Sequence, residues 1–268
     1  MIKYCLVTGD THAETARRLA MFNETVPDYE PSETAIIILG DVGFHWYHNK
    51  KDWKLKHQAA EFGYTLYCLR GNHEDRAANT KDIEFVYDDF VHGYVYVEKE
   101  FPNIKYFSDE VAEYEIMGKS ILCIPGAYSI DKWYRLQMGW QWFAQEQLTA
   151  EEMARAEKDF CGKHYDLVLS HTCPIDWEPS DLFLRGIDQS KVDKTMEVWM
   201  KKFRNMINWG IWLFAHYHTD RLERPHVEIF YEEVENLDVI FERWEKYDNT
   251  GEVDWWIPLS PNFKNGEG

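Results

Sequence analysis

The sequence has little cysteine, no long apolar run and a shortage of positive charge. Its five cysteines (Cys5, Cys68, Cys123, Cys161, Cys173) are scattered over 268 residues with no Cys-x-x-Cys spacing. That argues against both a thiolate zinc site and a disulfide-stapled scaffold, and reduced thiols are expected. No apolar stretch approaches the roughly 20 residues of a membrane span. No basic segment followed by an apolar leader opens the chain, so no membrane partner and a cytoplasmic location are expected. Lys and Arg number 29 against 47 Asp and Glu, a net charge of −18. Such a surface repels phosphate polyanions, which disfavours sustained binding to long nucleic acid. A small phosphorylated substrate stays compatible, because divalent ions can reverse the field locally.

Apolar residues are plentiful at 45%, with 16% aromatic, enough for a sizeable core. Five short apolar runs each end in a polar cluster: Tyr4 to Thr8, Ala35 to Leu39, Tyr64 to Leu69, Leu167 to Ser170 and Ile211 to Phe214. Continuous runs of this length suit strands covered on both faces. Helical segments near 13–23 and 50–62 separate the first three, which implies parallel βαβ units whose ligands bind beyond the strands' carboxyl ends. One domain over 1–260 is expected, with 82–163 partly forming an accessory, cap-like insertion and 261–268 a tail. Within that insertion, Val111 to Met117 and Ser120 to Ile124 read as a hairpin, and Thr149 with Glu152 as a capping box. The stripe Val192, Met196, Trp199, Phe203 and Met206 predicts a core-facing helix from about Ser190 to Asn208. Further on, Val227 to Val234 and Asp238 to Trp244 read as strands of a second sheet.

The strand ends carry Gly9-Asp10-Thr11-His12, Gly40-Asp41-Val42-Gly43, Gly71-Asn72-His73-Glu74, Ser170-His171 and Ala215-His216-Tyr217-His218. Each offers oxygen or imidazole ligands suited to a divalent ion of borderline softness. Gly-Asp and Gly-Asn alone are ordinary turns. Five blocks in this order, each closing a predicted strand, point instead to a metal site.

Together these blocks resemble the calcineurin-like metallophosphoesterase superfamily, whose signature runs Gly-Asp-x-His, Gly-Asp, Gly-Asn-His-Asp/Glu, a lone His and Gly-His-x-His. All are present between Gly9 and His218, with Ala215 replacing the last glycine. The resemblance implies an α/β chain of two stacked, mostly mixed β-sheets flanked by helices, an αββα sandwich. It implies two divalent metal ions, manganese the expected pair and iron, zinc, cobalt or nickel alternatives. Asp10, His12 and His218 would hold one ion, Asn72, His171 and His216 the other, and Asp41 would bridge them. A hydroxide held between the ions would attack phosphorus, and His73 would act as general acid. Glu74 is expected to orient a neighbouring group rather than react.

The departures bear on substrate. The extended second block of protein serine/threonine phosphatases, with its Asp-Arg-Gly, is missing after Asp41. Arg135, in the segment Gly126 to Arg135, is a candidate phosphate contact, as is Asn72; ordinary surface ion pairing is the plainer reading of that segment. For Trp133, Tyr134, Trp140, Trp142 and Phe143, core packing or a subunit contact is expected ahead of nucleobase stacking. His45 and His48 are expected to be solvated turn residues, and His57, His92, His164 and His226 structural or surface residues. The leading expectation is hydrolysis of a phosphomonoester or phosphodiester of a small molecule or nucleotide. A metal-dependent nuclease and a non-catalytic binding module that keeps the fold are the alternatives.

Overall fold

The structure, a computed structural model, describes residues 1–26 and 28–253. From the N-terminus come β1 (Tyr4–Thr8), α1 (Thr15–Thr25), β2 (Thr34–Ile38), α2 (Lys50–Ala60) and β3 (Thr65–Cys68). Then follow β4 (Ile83–Asp88), β5 (Gly93–Glu98), β6 (Ile104–Tyr106), β7 (Ala112–Ile116), β8 (Lys119–Ile124) and α3 (Lys132–Met138). The remainder is α4 (Ala150–Phe160), β9 (His164–Ser170), α5 (Thr195–Arg204), β10 (Asn208–Phe214), β11 (Arg221–Arg224), β12 (Val227–Ile229), β13 (Val234–Asn236) and α6 (Leu237–Thr250).

Two mixed sheets result, ordered β13-β1-β2-β3-β6-β5-β4 and β11-β12-β10-β9-β8-β7. Strands β1, β2, β3 and β6 run parallel in the first, and β12, β10, β9 and β8 in the second. Alternation along the strands builds three cores. Cys5, Val7, Ile37 and Tyr67 meet Cys123, Leu167, Leu169 and Leu213 between the sheets. Leu6, Ile36 and Leu66 face outward onto Leu19 and Phe22 of α1. Leu122, Val168 and Trp212 face the other way, onto Met153 of α4 and Met196, Trp199 and Phe203 of α5. Because both faces of each sheet are covered, these strands read as unbroken apolar runs rather than alternating ones. The layering is the expected helix–sheet–sheet–helix sandwich.

Residues 83–124 supply five strands shared between the sheets, and 126–148 then pass over the strand ends as a loop carrying α3. The β7–β8 hairpin turns at Met117 and Gly118, both with positive φ (53° and 74°), as a tight hairpin turn requires. The Thr149–Glu152 capping box is present in both directions, at 2.8 and 3.2 Å.

Three expected elements differ. Val227 to Val234 is not one strand: Val227–Ile229 is β12 of the second sheet, while Val234 opens β13, which pairs with β1 in the first. Asp238 to Trp244 lies in helix α6, not a strand: Leu237, Ile240 and Trp244 are buried at three- and four-residue steps, and Asn236 caps the Asp238 N–H. The apolar run Val239-Ile240-Phe241 hides that helical spacing. Helix α5 is shorter than 190–208. Asp193 takes the Thr195 N–H at 2.9 Å just ahead of the helix, and Asn208 already pairs with Lys163 at 2.8 Å to open β10. The 261–268 tail lies outside the described residues. Among the described residues, no helix is long and apolar enough to cross a membrane.

Candidate metal centre

The five blocks follow the carboxyl ends of β1, β2, β3, β9 and β10, so parallel strands from two sheets deliver them to one place. Each chain must turn sharply off its strand there. His12, Asp41, His216 and His218 do so with φ of 43°, 50°, 69° and 51°. Left-handed backbone at four non-glycine residues of one site is uncommon and stores strain that the surrounding packing must hold. Two glycines permit the close approach: a Cβ at Gly40 would lie 2.1 Å from His171 Nδ1, and one at Gly71 2.1 Å from Asp41 Oδ1.

The candidate ligands converge. His218 and His12 Nε2 lie 3.2 and 3.6 Å from Asp10 Oδ2 and 2.8 Å from each other. His171 Nε2 lies 3.5 Å from Asp41 Oδ1 and 3.0 Å from Asn72 Oδ1, and its ring sits 5.0 Å from that of His216. Three overlapping groups have their ligand atoms within 4.8 Å: Asp10, His12 and His218; Asp10, Asp41 and His171; and His12, Asp41 and His73.

Electrostatics fit a cation. Asp10 Oδ2 is buried and takes no well-aligned hydrogen bond; its nearest polar neighbours are the His218 and His12 Nε2 atoms, themselves candidate ligands. Burial alone would raise the Asp10 and Asp41 pKa values, but the imidazoles around them, His171 foremost for Asp10 and His73 for Asp41, hold both well below the carboxylate range. His171 Nδ1 donates to Leu39 O at 2.7 Å, since a carbonyl can only accept. That leaves Nε2 as the ring nitrogen that could face an ion. Burial lowers the His171 pKa, yet Asp41 and Asp10 push it up to about 9, so with no ion bound this ring is the positive charge between two carboxylates. His216, pushed down to about 3 by burial and then by His171, stays a neutral donor.

Asn72 is aimed by residues outside the five blocks. Its Nδ2 donates to Ser129 Oγ at 3.0 Å, and Ser129 Oγ donates to Glu146 Oε2 at 2.5 Å. With the amide nitrogen committed, Oδ1 turns toward His171. Glu74 ties two loops instead of holding an imidazole: its carboxylate accepts from Gly71 N and Gly43 N, each at 2.9 Å. Arg70, buried, reaches Glu146 O at 2.7 Å and pins the 126–148 segment to the end of β3. No spacing signal marks Glu146 or Arg70. Ser129 lies in the Gly126 to Arg135 segment that also carries Arg135.

His73 stands at the mouth. It stacks on Trp46 at 5.4 Å, and its N–H backbone group donates to Asp41 Oδ1 at 2.8 Å. Arg135 Nη2 donates to His73 Nε2 at 2.6 Å, while Arg135 Nε holds Asp131 at 2.8 Å. Burial chiefly lowers the His73 pKa; Asp41 opposes that shift and Arg135 adds to it. Arg135 is only 2% exposed, so the plain reading of a surface ion pair does not apply.

Other expectations change. His45 is buried against Glu98 (3.2 Å) rather than solvated, because the Lys56–Glu98 pair gives it a polar partner inside. His48 is an exposed turn residue beside Asp75, as expected. In the aromatic cluster Phe143 is buried and Trp142 half-buried, while Trp133, Tyr134 and Trp140 are 67%, 53% and 55% exposed and so lie outside the core. They lie on or just after α3, a seven-residue helix whose only buried side chain is Arg135.

The model of the calcineurin-like phosphoesterases matches residues 4–220, which contain all five blocks. The chain belongs to this family. Its members are hydrolases of phosphate esters, and the Asp/His cluster is where a divalent metal would bind. No curated protein matches the sequence. Among solved structures, the phosphopantetheinyl hydrolase of Mycobacterium tuberculosis is 14% identical, covering 85% of this chain and 88% of its own, with a TM-score of 0.43. The protein of unknown function AQ665 from Aquifex aeolicus is 14% identical over 63% and 80%, TM-score 0.28. A cold-active protein-tyrosine phosphatase of a psychrophilic Shewanella is 13% identical over 87% and 72%, TM-score 0.26. Likenesses this weak establish nothing about substrate.

Proposed function

We propose that this calcineurin-like phosphoesterase hydrolyses phosphate esters of small molecules with two divalent metal ions. The observation that carries the reading is that Asp10 and Asp41 each belong to two of the three overlapping ligand groups. A carboxylate shared between groups offsets repulsion between cations about 3.5–4 Å apart. Asp10, His12 and His218 would hold one ion, Asn72, His171 and His216 the other, with Asp41 common to both. When bound, the ions supply Lewis acidity at the phosphoryl oxygens and bring a water's pKa toward neutrality.

The chain's own residues do the rest. Asp10 and Asp41 fix the ligand frame, and Ser129 with Glu146 keeps Asn72 Oδ1 turned inward. Arg135 presents a guanidinium beside the reacting centre; a phosphoryl oxygen that takes it relieves His73 of a positive neighbour. His73 then carries the proton that the leaving oxygen needs. The acidic walls around the centre oppose the nuclease alternative.

The test is reconstitution. Chelator-treated protein is expected to bind about two equivalents of Mn²⁺ by titration calorimetry and to hydrolyse p-nitrophenyl esters only when loaded. Metal-free protein as active as the loaded form would end the reading.

A further inference from the structure

The reacting centre lies where two clefts meet. One, about 670 Å³, is walled by Trp46, Tyr47 and Trp140 and reaches His12. The other, about 550 Å³, is walled by Ile130, Leu182, Phe183, Leu184 and Tyr217 and reaches Asp41, Asn72, His216 and His218. His73 and Asp131 border both. The first cleft is aromatic, with Trp46 stacked on His73 and Trp140 more than half exposed beside it. The apolar part of the second mixes Ile130, Leu182, Leu184 and Val192 with Tyr128, Phe183 and Tyr217, and Leu182 and Leu184 are exposed at its rim.

A phosphomonoester has one organic group, so at this junction it would leave one cleft without a partner. A phosphodiester has two. Charge points the same way. Around the two clefts the carboxylates Asp131, Glu178, Asp193 and Glu197 outnumber the cations Arg135 and Lys194. Both cations are already paired, Arg135 with Asp131 and Lys194 with Glu178. Beyond the reach of the bound ions, such walls add repulsion for the second negative charge of a monoester, a charge that a diester lacks.

Resting on the phosphoesterase reading, we infer that the substrate is a phosphodiester with one planar aromatic arm, stacked on the Trp46–Trp140 side, and one apolar arm in the Leu182–Leu184 cleft. Water's oxygen bonds to phosphorus, and the bond from phosphorus to one ester oxygen breaks with its electron pair on that oxygen. A proton delivered there through His73 makes the alcohol, and the other arm leaves as a monoester.

The test uses the manganese-loaded full chain and three esters with one leaving group: p-nitrophenyl phosphate, methyl p-nitrophenyl phosphate and a nucleoside 5′-p-nitrophenyl phosphate. We expect kcat/KM for the nucleoside diester to exceed that of each of the others at least tenfold. Trp140→Ala should lower it at least fivefold more than it lowers the methyl diester's value, chiefly through KM. Leu184→Asp should weaken both diesters more than the monoester. A monoester turned over as well as the nucleoside diester, or a Trp140→Ala loss equal on all three, overturns the diester inference and leaves the phosphoesterase reading standing. Inactivity of loaded protein on all three overturns that reading itself.

Discussion

At the floor of the centre, Asp10, Asp41 and His171 are no more than 1% exposed and sit directly on the ends of central parallel strands. At its mouth, Trp133 and Tyr134 on a short helix held chiefly through Arg135, and Trp140 just after it, are more than half exposed. The floor is fixed by backbone: left-handed residues, glycines without room for a Cβ, and loops stitched by Glu74. The mouth is fixed by side chains reaching between segments, namely Arg135 to His73, Ser129 to Asn72 and Arg70 to the 145–146 backbone. The difference separates what any phosphoester chemistry would need from what selects a particular ester.

If the floor is the shared machinery, Asp41→Asn should have the largest effect. Metal analysis is expected to fall from two equivalents to less than one, with activity down by at least about a thousandfold; full stoichiometry would deny the bridging role. His73→Ala should lower kcat by about a hundred- to ten-thousandfold with metal content unchanged; metal lost together with activity would move His73 into the floor. For the link between the two regions, Ser129→Ala or Glu146→Gln is expected to weaken metal affinity about 10–100-fold through misaimed Asn72. Unchanged affinity by calorimetry would make that pair a packing feature only.

The smallest effect belongs to the brace beneath the mouth, where Arg76 grips Glu152 at 2.5 and 2.9 Å. Burial raises the Glu152 pKa, but Arg76 and the Thr149 cap outweigh it and hold it near about 2. A carboxyl whose folded pKa is depressed stabilises fully above its unfolded value and progressively less as pH falls through the folded one. Arg76→Gln should therefore cost about 1.5–3 kcal/mol at pH 7. The Tm gap to the unaltered protein should shrink between pH 4.5 and 3; a gap constant with pH would mean that packing, not charge, sets it.

The floor was legible because its ligands are tied to strand ends, and strand ends announce themselves as apolar runs meeting Gly-Asp or Gly-Asn. The same runs imply parallel βαβ units, while the two-sheet sandwich was implied by the family resemblance of the five blocks. Of the mouth, His73 and Arg135 were legible, but Glu146 and Arg70 were not, since they act at positions set by how the 126–148 segment folds back, which no local spacing encodes. His45 shows the same limit: a polar turn in sequence becomes a buried contact once Glu98 arrives from β5. Helix α6 was misread for the opposite reason, because three consecutive apolar residues obscured a periodic stripe.

The backbone twist at His12, Asp41, His216 and His218 narrows how this centre can evolve. Histidine, aspartate and asparagine are the non-glycine residues that tolerate such a conformation with least penalty, and they are also good partners for divalent ions. Exchanges within that trio can retune ion preference with little disturbance to the loops. Glutamate or a branched side chain at the same points would have to bend the loop before it could reach an ion.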